Sequence, residues 1–302
     1  MPPRIAVFTK NRTNPAYEAA RIGADRVAAR LGAVTTHHVP QKPDDVAEQR
    51  ALIARAVVER PDAAVFVPVH ETAVNDAVRG FDAARIPLFG FVARASAGPY
   101  VCFVGANDWA LAQEIAGHLF AKLSGRGEIV ILEGTPASPT SHARLEGFHA
   151  ALATFPGIKV RSSLCGEYQR DVARAVFSKA AAGLQGIDGV LCANDVMALG
   201  VLDALDAAGD ARKRPLIVGV NALPEAVAAI AAGRMLATAS FDAMAMCAVA
   251  TEAAIRHLGG ETVPREIMLP VALVDASNCA QWALPFAQRP IPRWQDVAGI
   301  TN

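Results

Sequence analysis

The chain has 302 residues, 52% of them hydrophobic and 19% charged, so it is longer than one ordinary domain, apolar enough for sizeable cores and unlike a disordered protein. Its 29 basic and 29 acidic side chains cancel, with a pI of about 7.1, which leaves no electrostatic footprint for nucleic acid or an anionic membrane. No uninterrupted apolar run approaches the ~18 residues that a bilayer-spanning helix needs.

In chain order, short β-rich runs alternate with longer helical patterns. The first strand, RIAVFT (4–9), begins soon after Met1. The start MPPRIAVFTK has no charged segment followed by an apolar one, so the chain reads either as cytoplasmic or as one whose cleaved signal is missing from this sequence. PAYEAARIGADRVAARL follows as an amphipathic helix, with positions 20, 24, 27 and 31 on one face and Glu18, Arg21, Asp25 and Arg30 elsewhere. The next strands are AAVFVPV (63–69), PLFGFV (87–92), YVCFVG (100–105), EIVILEG (128–134), VLCA (190–193), PLIVGV (215–220) and MLATAS (235–240). They are apolar throughout, as strands covered on both faces should be. Such alternation implies parallel sheets with right-handed crossovers. Near Asn107 one set of strand–helix units closes and a similar set begins, which predicts an α/β protein of two Rossmann-like lobes. From Leu284 the chain becomes irregular (PFAQRPIPRW) and is expected to wrap the surface. Cys102, Cys165, Cys192, Cys247 and Cys279 are scattered without a C-x-x-C pair and read mainly as small buried hydrophobes.

Ligands of doubly wound sheets bind beyond the carboxyl ends of the strands, so the residues that follow each strand carry the functional reading. Thr9, Lys10 and Asn14 follow the first strand, and His70-Glu71 follow AAVFVPV. Thr135, Ser138, Thr140, Ser141 and Arg144 follow EIVILEG. Asn194-Asp195 follow VLCA, Asn221 follows PLIVGV, and Phe241-Asp242 follow MLATAS. Each Asn, Asp, Ser or Thr also has a plain reading as a helix cap. At Asn194-Asp195 one cap suffices: Asp195 is expected to cap the helix and Asn194 to face a ligand, its amide suiting hydroxyl groups. Arg144 lies early in a helix, where a cation opposes the dipole; it is either an ordinary surface arginine or an inward one that needs a partner. Tyr17 and Tyr168 are either half-buried core rings or stacking surfaces. No phosphate loop, nucleophile elbow, zinc motif or dinucleotide fingerprint is present, and His37-His38 read as a solvated pair. The sequence therefore offers no catalytic residue, no metal site and no cofactor.

TKNRTNPAYEAARIGA, R-L-E-G-F at 144–148, ANDVMALGVLDAL and IVGVN, in order from about residue 4 to about residue 275, resemble the type I periplasmic sugar-binding proteins. This is the ribose- and galactose-binding group serving ABC importers, related to the effector domain of lactose-repressor-type regulators. The resemblance implies two α/β lobes closing on a sugar, joined by three hinge crossings near 105–108, 238–242 and 274–278. It divides the chain into 1–106 plus 241–275 for the N-terminal lobe and 107–240 plus 276–302 for the C-terminal lobe and tail. By motif it assigns Thr9, Asn14 and Tyr17, then Arg144, Tyr168 and Asn194, to the ligand, with Asn221 near the hinge and Phe241 and Asp242 at the second crossing.

The departures are informative. Ala16 replaces the first of two usual aromatics, Phe91-Val92 replace an Asp-Arg pair, Asn221 replaces a hinge aspartate, and Phe241 takes the place of a usual Gln or Asn. Phe91 is therefore expected to face a carbon surface of the ligand. The ligands that the resemblance and its departures leave open are a sugar, a polyol, a deoxy or modified sugar, and a sugar acid paired with Lys10 or Arg144. The implied protein is a monomeric solute receptor with no enzymatic activity. It would be periplasmic with its signal peptide removed, and would deliver to the permease subunits of an ABC importer without binding nucleic acid. The alternative, the ligand-sensing domain of a lactose-repressor-type regulator, would need a helix-turn-helix before the first strand, and only three residues precede Arg4.

Overall fold

The computed structural model describes residues 1–136, 138–180, 183–184, 186–209 and 214–300. The chain forms two compact units, Met1–Ala106 with Asp242–Pro270 and Phe286–Asn302, and Asn107–Phe241 with Val271–Pro285.

The first unit contains β1 (Arg4–Phe8), α1 (Pro15–Arg30), β2 (Val34–His38), α2 (Val46–Glu59), β3 (Ala63–Phe66), α3 (Asn75–Ala83), β4 (Leu88–Phe91) and β5 (Tyr100–Gly105), and later α9 (Ala243–Leu258) and β11 (Glu266–Met268). Its sheet is parallel in the order β11-β5-β4-β3-β1-β2. The order reverses beside β1, between β2 and β3, which is the switch point of a doubly wound sheet. One face is closed by Phe8, Phe66 and Phe81, packed edge to face with ring centroids 5.6 to 6.3 Å apart, a favoured aromatic geometry. AAVFVPV ends as a strand at Phe66, because Pro68 has no N–H to give a ladder. The Gln49 side chain takes over instead, donating to the Val67 carbonyl at 3.0 Å and accepting from the Val69 N–H at 2.9 Å.

The second unit contains α4 (Asp108–Lys122), β6 (Arg126–Glu133), α5 (Pro139–Thr154), β7 (Gly157–Cys165), α6 (Arg170–Ala180), β8 (Gly189–Cys192), α7 (Asp195–Ala207), β9 (Leu216–Val220), α8 (Pro224–Ala231), β10 (Ala237–Ala239) and β12 (Leu273–Asp275). Its order, β12-β10-β9-β8-β6-β7, repeats that of the first unit, and only the β10–β12 pair is antiparallel. Each unit is thus a parallel-dominated sheet flanked by helices.

Three boundaries differ from the sequence expectation; in the smallest shift Phe241, expected to open the return to the first lobe, is the last residue of the Asn107–Phe241 stretch of the second unit. Residues 271–275, expected in the first lobe, belong to the second unit, because β12 pairs with β10 there. Residues 286–302, expected with the second lobe, group with the first, because Arg26 of α1 donates to the Arg289 carbonyl at 2.8 Å and the Ile300 carbonyl accepts from Met268 of β11 at 2.9 Å. The tail therefore adds a fourth chain passage, at Pro285–Phe286, to those at 106–107, 241–242 and 270–271. All five cysteines are free thiols, and no described helix is long and apolar enough to cross a membrane.

Candidate ligand-binding site

In the first unit, the residues beyond the strand ends mostly satisfy one another. Thr9 Oγ1 accepts from Arg21 Nη1 at 2.9 Å. Asn14 caps α1, its Oδ1 accepting from the Ala16 N–H at 3.0 Å, while its own N–H donates to Asn11 Oδ1 at 3.0 Å. Asn11 Nδ2 reaches Asp44 Oδ1 at 3.1 Å. Burial raises the pKa of Asp44 against the opposing pull of the buried Lys10 ammonium, so Lys10 already has an acidic neighbour. Tyr17 is buried along α1. Asp242 caps α9, accepting from the Ala245 N–H at 3.0 Å, and burial raises its pKa.

Phe91, expected to face a carbon surface of the ligand, is 0% exposed, as buried as Thr9. The next residue, Val92, has φ of 64°, and the Ala93 N–H folds back onto the Phe91 carbonyl at 2.7 Å. A β-branched residue at the centre of such a three-residue turn is strained.

In the second unit, Arg144 is neither a surface arginine nor a bare ligand grip. It is 3% exposed, its Nε donates to Asp108 Oδ1 at 2.7 Å and its Nη1 to the Ala193 carbonyl at 2.6 Å. Its guanidinium carbon lies 4.6 Å from the centre of the Phe241 ring, within cation–π range. Gly147, one turn on, lets α5 approach α4; a Cβ there would collide with the Trp109 carbonyl. Of the two readings of Arg144, the structure shows the inward arginine with a partner, and its ion pair with Asp108 would be lost on its removal.

The helix cap is Asn194 and not Asp195 as expected. Asn194 is the cap of α7, its Oδ1 accepting from the Met197 N–H at 2.9 Å. Asp195 opens the helix and ties strand ends together: Oδ1 accepts from Thr238 Oγ1 at 2.6 Å and Oδ2 from the Leu223 N–H at 2.8 Å. The cap nevertheless spends only the oxygen of Asn194. Its Nδ2 is buried without a partner, as are Thr135 Oγ1 and Asn221 Oδ1. These three follow β6, β8 and β9, which are adjacent strands. Buried polar atoms are almost always paired, so a hydroxyl, an amide donor and an amide acceptor on three adjacent strand ends are candidate contacts for a hydrogen-bonding ligand; His118 Nε2 and Gln169 Nε2 are likewise buried without a hydrogen-bond partner. Asn221 is held there by its N–H bond to the Ala239 carbonyl at 2.8 Å, with φ of 125°. Tyr168 adjoins them, its hydroxyl 3.3 Å from Thr140 Oγ1 and its ring packed where a side chain on Gly134 would collide; burial raises its pKa.

A model described as a periplasmic binding protein domain matches residues 5–262. The chain belongs to the periplasmic binding protein family. A putative rhizopine-binding protein of Rhizobium meliloti is 28% identical over 79% of this chain and 79% of its own length. A ribose import binding protein of Salmonella typhimurium is 28% identical over 89% of this chain and 90% of its own. Among solved structures, an ABC transporter periplasmic solute-binding protein from Actinobacillus succinogenes with bound D-allose superposes with a TM-score of 0.86 at 25% identity, covering 92% of this chain and 99% of that one. The family is one of solute-binding receptors, and the ribose import binding protein and the D-allose-bound ABC transporter protein are binding components of importers; nothing in them favours the regulator alternative.

Sequence reading missed the pairing of Arg144 with Asp108 and the strand-tying role of Asp195. The signal for the first was present: a cation early in a helix needs an anion, and Asp108 opens α4 just after its own cap, Asn107. Among the described residues, no group of three or more His, Cys, Asp or Glu could hold a metal ion.

Proposed function

We propose that this protein is the solute receptor of an ABC importer and that it captures an uncharged polyhydroxylated small molecule, a sugar or a polyol. The observation that carries the reading is the row of unpartnered polar atoms, Thr135 Oγ1, Asn194 Nδ2 and Asn221 Oδ1. A hydroxyl group can donate and accept at once, so vicinal hydroxyls are suited to such an alternation of donor and acceptor. A sugar acid is disfavoured, because Arg144 is neutralised by Asp108 and Lys10 faces Asp44. The names of two similar proteins, which refer to ribose and D-allose, support the same ligand class.

In this reading Tyr168 and Phe241 flank the ligand from the second lobe, and Arg144 orients Phe241 beneath it. Thr9, Lys10, Asn14, Tyr17 and Asp242 face the ligand from the first lobe with whatever donors their internal bonds leave, and Phe91 supports them as core. The lobes close on the ligand, and the closed form of a monomeric periplasmic protein, its signal peptide removed, engages the permease. Scattering should give a smaller radius of gyration with ligand than without.

The test of ligand class is a thermal-shift panel of D-ribose, D-allose, myo-inositol, D-glucose, D-galactonate and D-glucuronate. A ligand at 100 times its Kd stabilises by about 2.7 kcal/mol, which is readily seen. We expect at least one neutral member to raise the melting temperature and both acids to be silent. Stabilisation by the acids alone would overturn the reading.

A further inference from the structure

The backbone turns sharply at one of the candidate contacts. Asn221, just after β9, has φ of 125°, and Ala222 beside it has φ of 49°. Asparagine visits positive φ more readily than most residues, but alanine does not. Two such residues in a row persist only where the surrounding structure holds them. Both are buried, and three successive N–H groups of the turn are engaged. The Asn221 N–H donates to the Ala239 carbonyl at 2.8 Å, the Ala222 N–H to Thr238 Oγ1 at 3.3 Å and the Leu223 N–H to Asp195 Oδ2 at 2.8 Å.

One carboxylate closes this arrangement. Asp195 Oδ1 accepts from Thr238 Oγ1 at 2.6 Å while Oδ2 takes the Leu223 N–H. The Thr238 hydroxyl therefore works in both directions, giving its hydrogen to Asp195 and receiving the Ala222 N–H on a lone pair. Asp195 and Thr238 are both fully buried, where hydrogen bonds are strengthened and an unpaired group is costly. Gly219 of β9 makes the room, since a Cβ there would collide with Asp195 Oδ1. Three elements supply the clamp: Asp195 from the start of α7, Gly219 from β9 and Thr238 from β10.

The clamp reaches two candidate contacts at once. Asp195 directly follows Asn194, which caps α7 while its Nδ2 has no partner. Through Thr238 and Leu223 it grips the turn that carries Asn221, whose Oδ1 has no partner either. A donor on one strand end and an acceptor on the next are thus tied together by a carboxylate whose two oxygens are both engaged.

We propose that Asp195 and Thr238 are positioning residues for the binding site. Their clamp holds the Asn221–Ala222 turn at positive φ, and so sets the Asn221 Oδ1 acceptor against the Asn194 Nδ2 donor for two neighbouring hydroxyls of the ligand. The proposal rests on the reading of this sheet edge as the ligand face. Neither Asp195 nor Thr238 touches the ligand.

The experiment is a double-mutant cycle of Thr238→Val and Asn221→Gly in the full chain, read by calorimetric titration with D-ribose, D-allose and myo-inositol. Valine keeps the shape of threonine without the hydroxyl, and glycine tolerates the positive φ while removing the Asn221 acceptor. Thr238→Val should weaken whichever probe the wild type binds by roughly tenfold, the scale of one hydrogen bond lost to a ligand, and Thr238→Ser should restore most of it. In the Asn221→Gly background, itself weaker than wild type, Thr238→Val should cost less than about threefold more, because both changes act on one contact. A loss of equal size in both backgrounds, or a lower melting temperature with affinity intact, would overturn the proposal and leave the clamp as packing. Wild-type affinity in Asn221→Gly would overturn it together with the reading of Asn221 as a contact.

Amide hydrogen exchange without ligand supplies the second readout. The Ala222 and Leu223 amides should exchange about tenfold faster in Thr238→Val, as a locally loosened turn does, and return toward wild type in Thr238→Ser. Unchanged protection would show that the turn holds itself, against the proposal. If none of the three probes binds the wild type, the ligand assignment fails, while the exchange rates still decide whether Asp195 and Thr238 hold the turn.

Discussion

The two units share a strand order but treat the carboxyl edge of the sheet differently. In the first, polar side chains pair with one another: Arg21 with Thr9, Asn11 with Asp44 and with the Asn14 N–H, and Asn14 with the helix it caps. In the second, Arg144 and Asp195 are equally committed, yet three adjacent strand ends keep a buried polar atom with no partner. The same topology therefore supplies one edge that is closed on itself and one that is chemically incomplete. A polar residue at a strand end is a weak pointer to function; a polar atom there that is buried and unpaired is a much stronger one.

The comparison can be broken most forcefully at Arg144. If the side chain is structural as well as near the site, Arg144→Ala removes the guanidinium that pairs with Asp108 in a largely buried ion pair and should destabilise folding by about 3–5 kcal/mol. Urea denaturation measures this, and a loss below about 0.5 kcal/mol, the scatter of ordinary surface changes, would show that the ion pair is dispensable. Next in size is Phe91→Ala, expected to cost about 3–4 kcal/mol of stability as the truncation of a fully buried ring, with ligand affinity little changed once the protein is folded. A large affinity loss without a stability loss would return Phe91 to the ligand. The smallest effect belongs to Thr9→Val. The hydroxyl serves Arg21, so about 1 kcal/mol of stability should go while affinity holds within about threefold in calorimetry. A collapse of binding in Thr9→Val would mean that the first edge is less self-contained than its hydrogen bonds indicate.

Much of this was legible in the sequence because it is local. The apolar run YVCFVG is β5 residue for residue, and N-P, A-N-D and Phe241-Asp242 all mark real helix starts. What escaped depends on distant partners. β7 is an edge strand carrying Lys159, Arg161, Ser162 and Ser163, so it lacks the apolar run that betrays a central strand. The passing of the cap from Asp195 to Asn194 was unreadable locally, because either residue can cap a helix. It is decided by Thr238 and the Leu223 N–H, on other strand ends, which claim the carboxylate. The tail was read as a surface wrap from its prolines, but its attachment depends on Arg26, Arg256 and Met268, all far away in sequence.

The central claim, that the second unit binds its ligand through polar atoms the fold leaves unpaired, is tested most directly at Asn194. Asn194→Asp keeps an oxygen to cap α7, since Asp and Asn cap helices about equally well; it replaces the Nδ2 donor with a carboxylate oxygen and places a negative charge at a position 1% exposed beside Asp195, so some loss of stability accompanies it. Calorimetric titration of this variant, at a temperature where it stays folded, with the neutral sugar or polyol that stabilises the wild type should show affinity reduced by roughly 10- to 100-fold, the scale of a buried hydrogen bond lost and its partner left unsatisfied. Wild-type affinity in Asn194→Asp would contradict the claim.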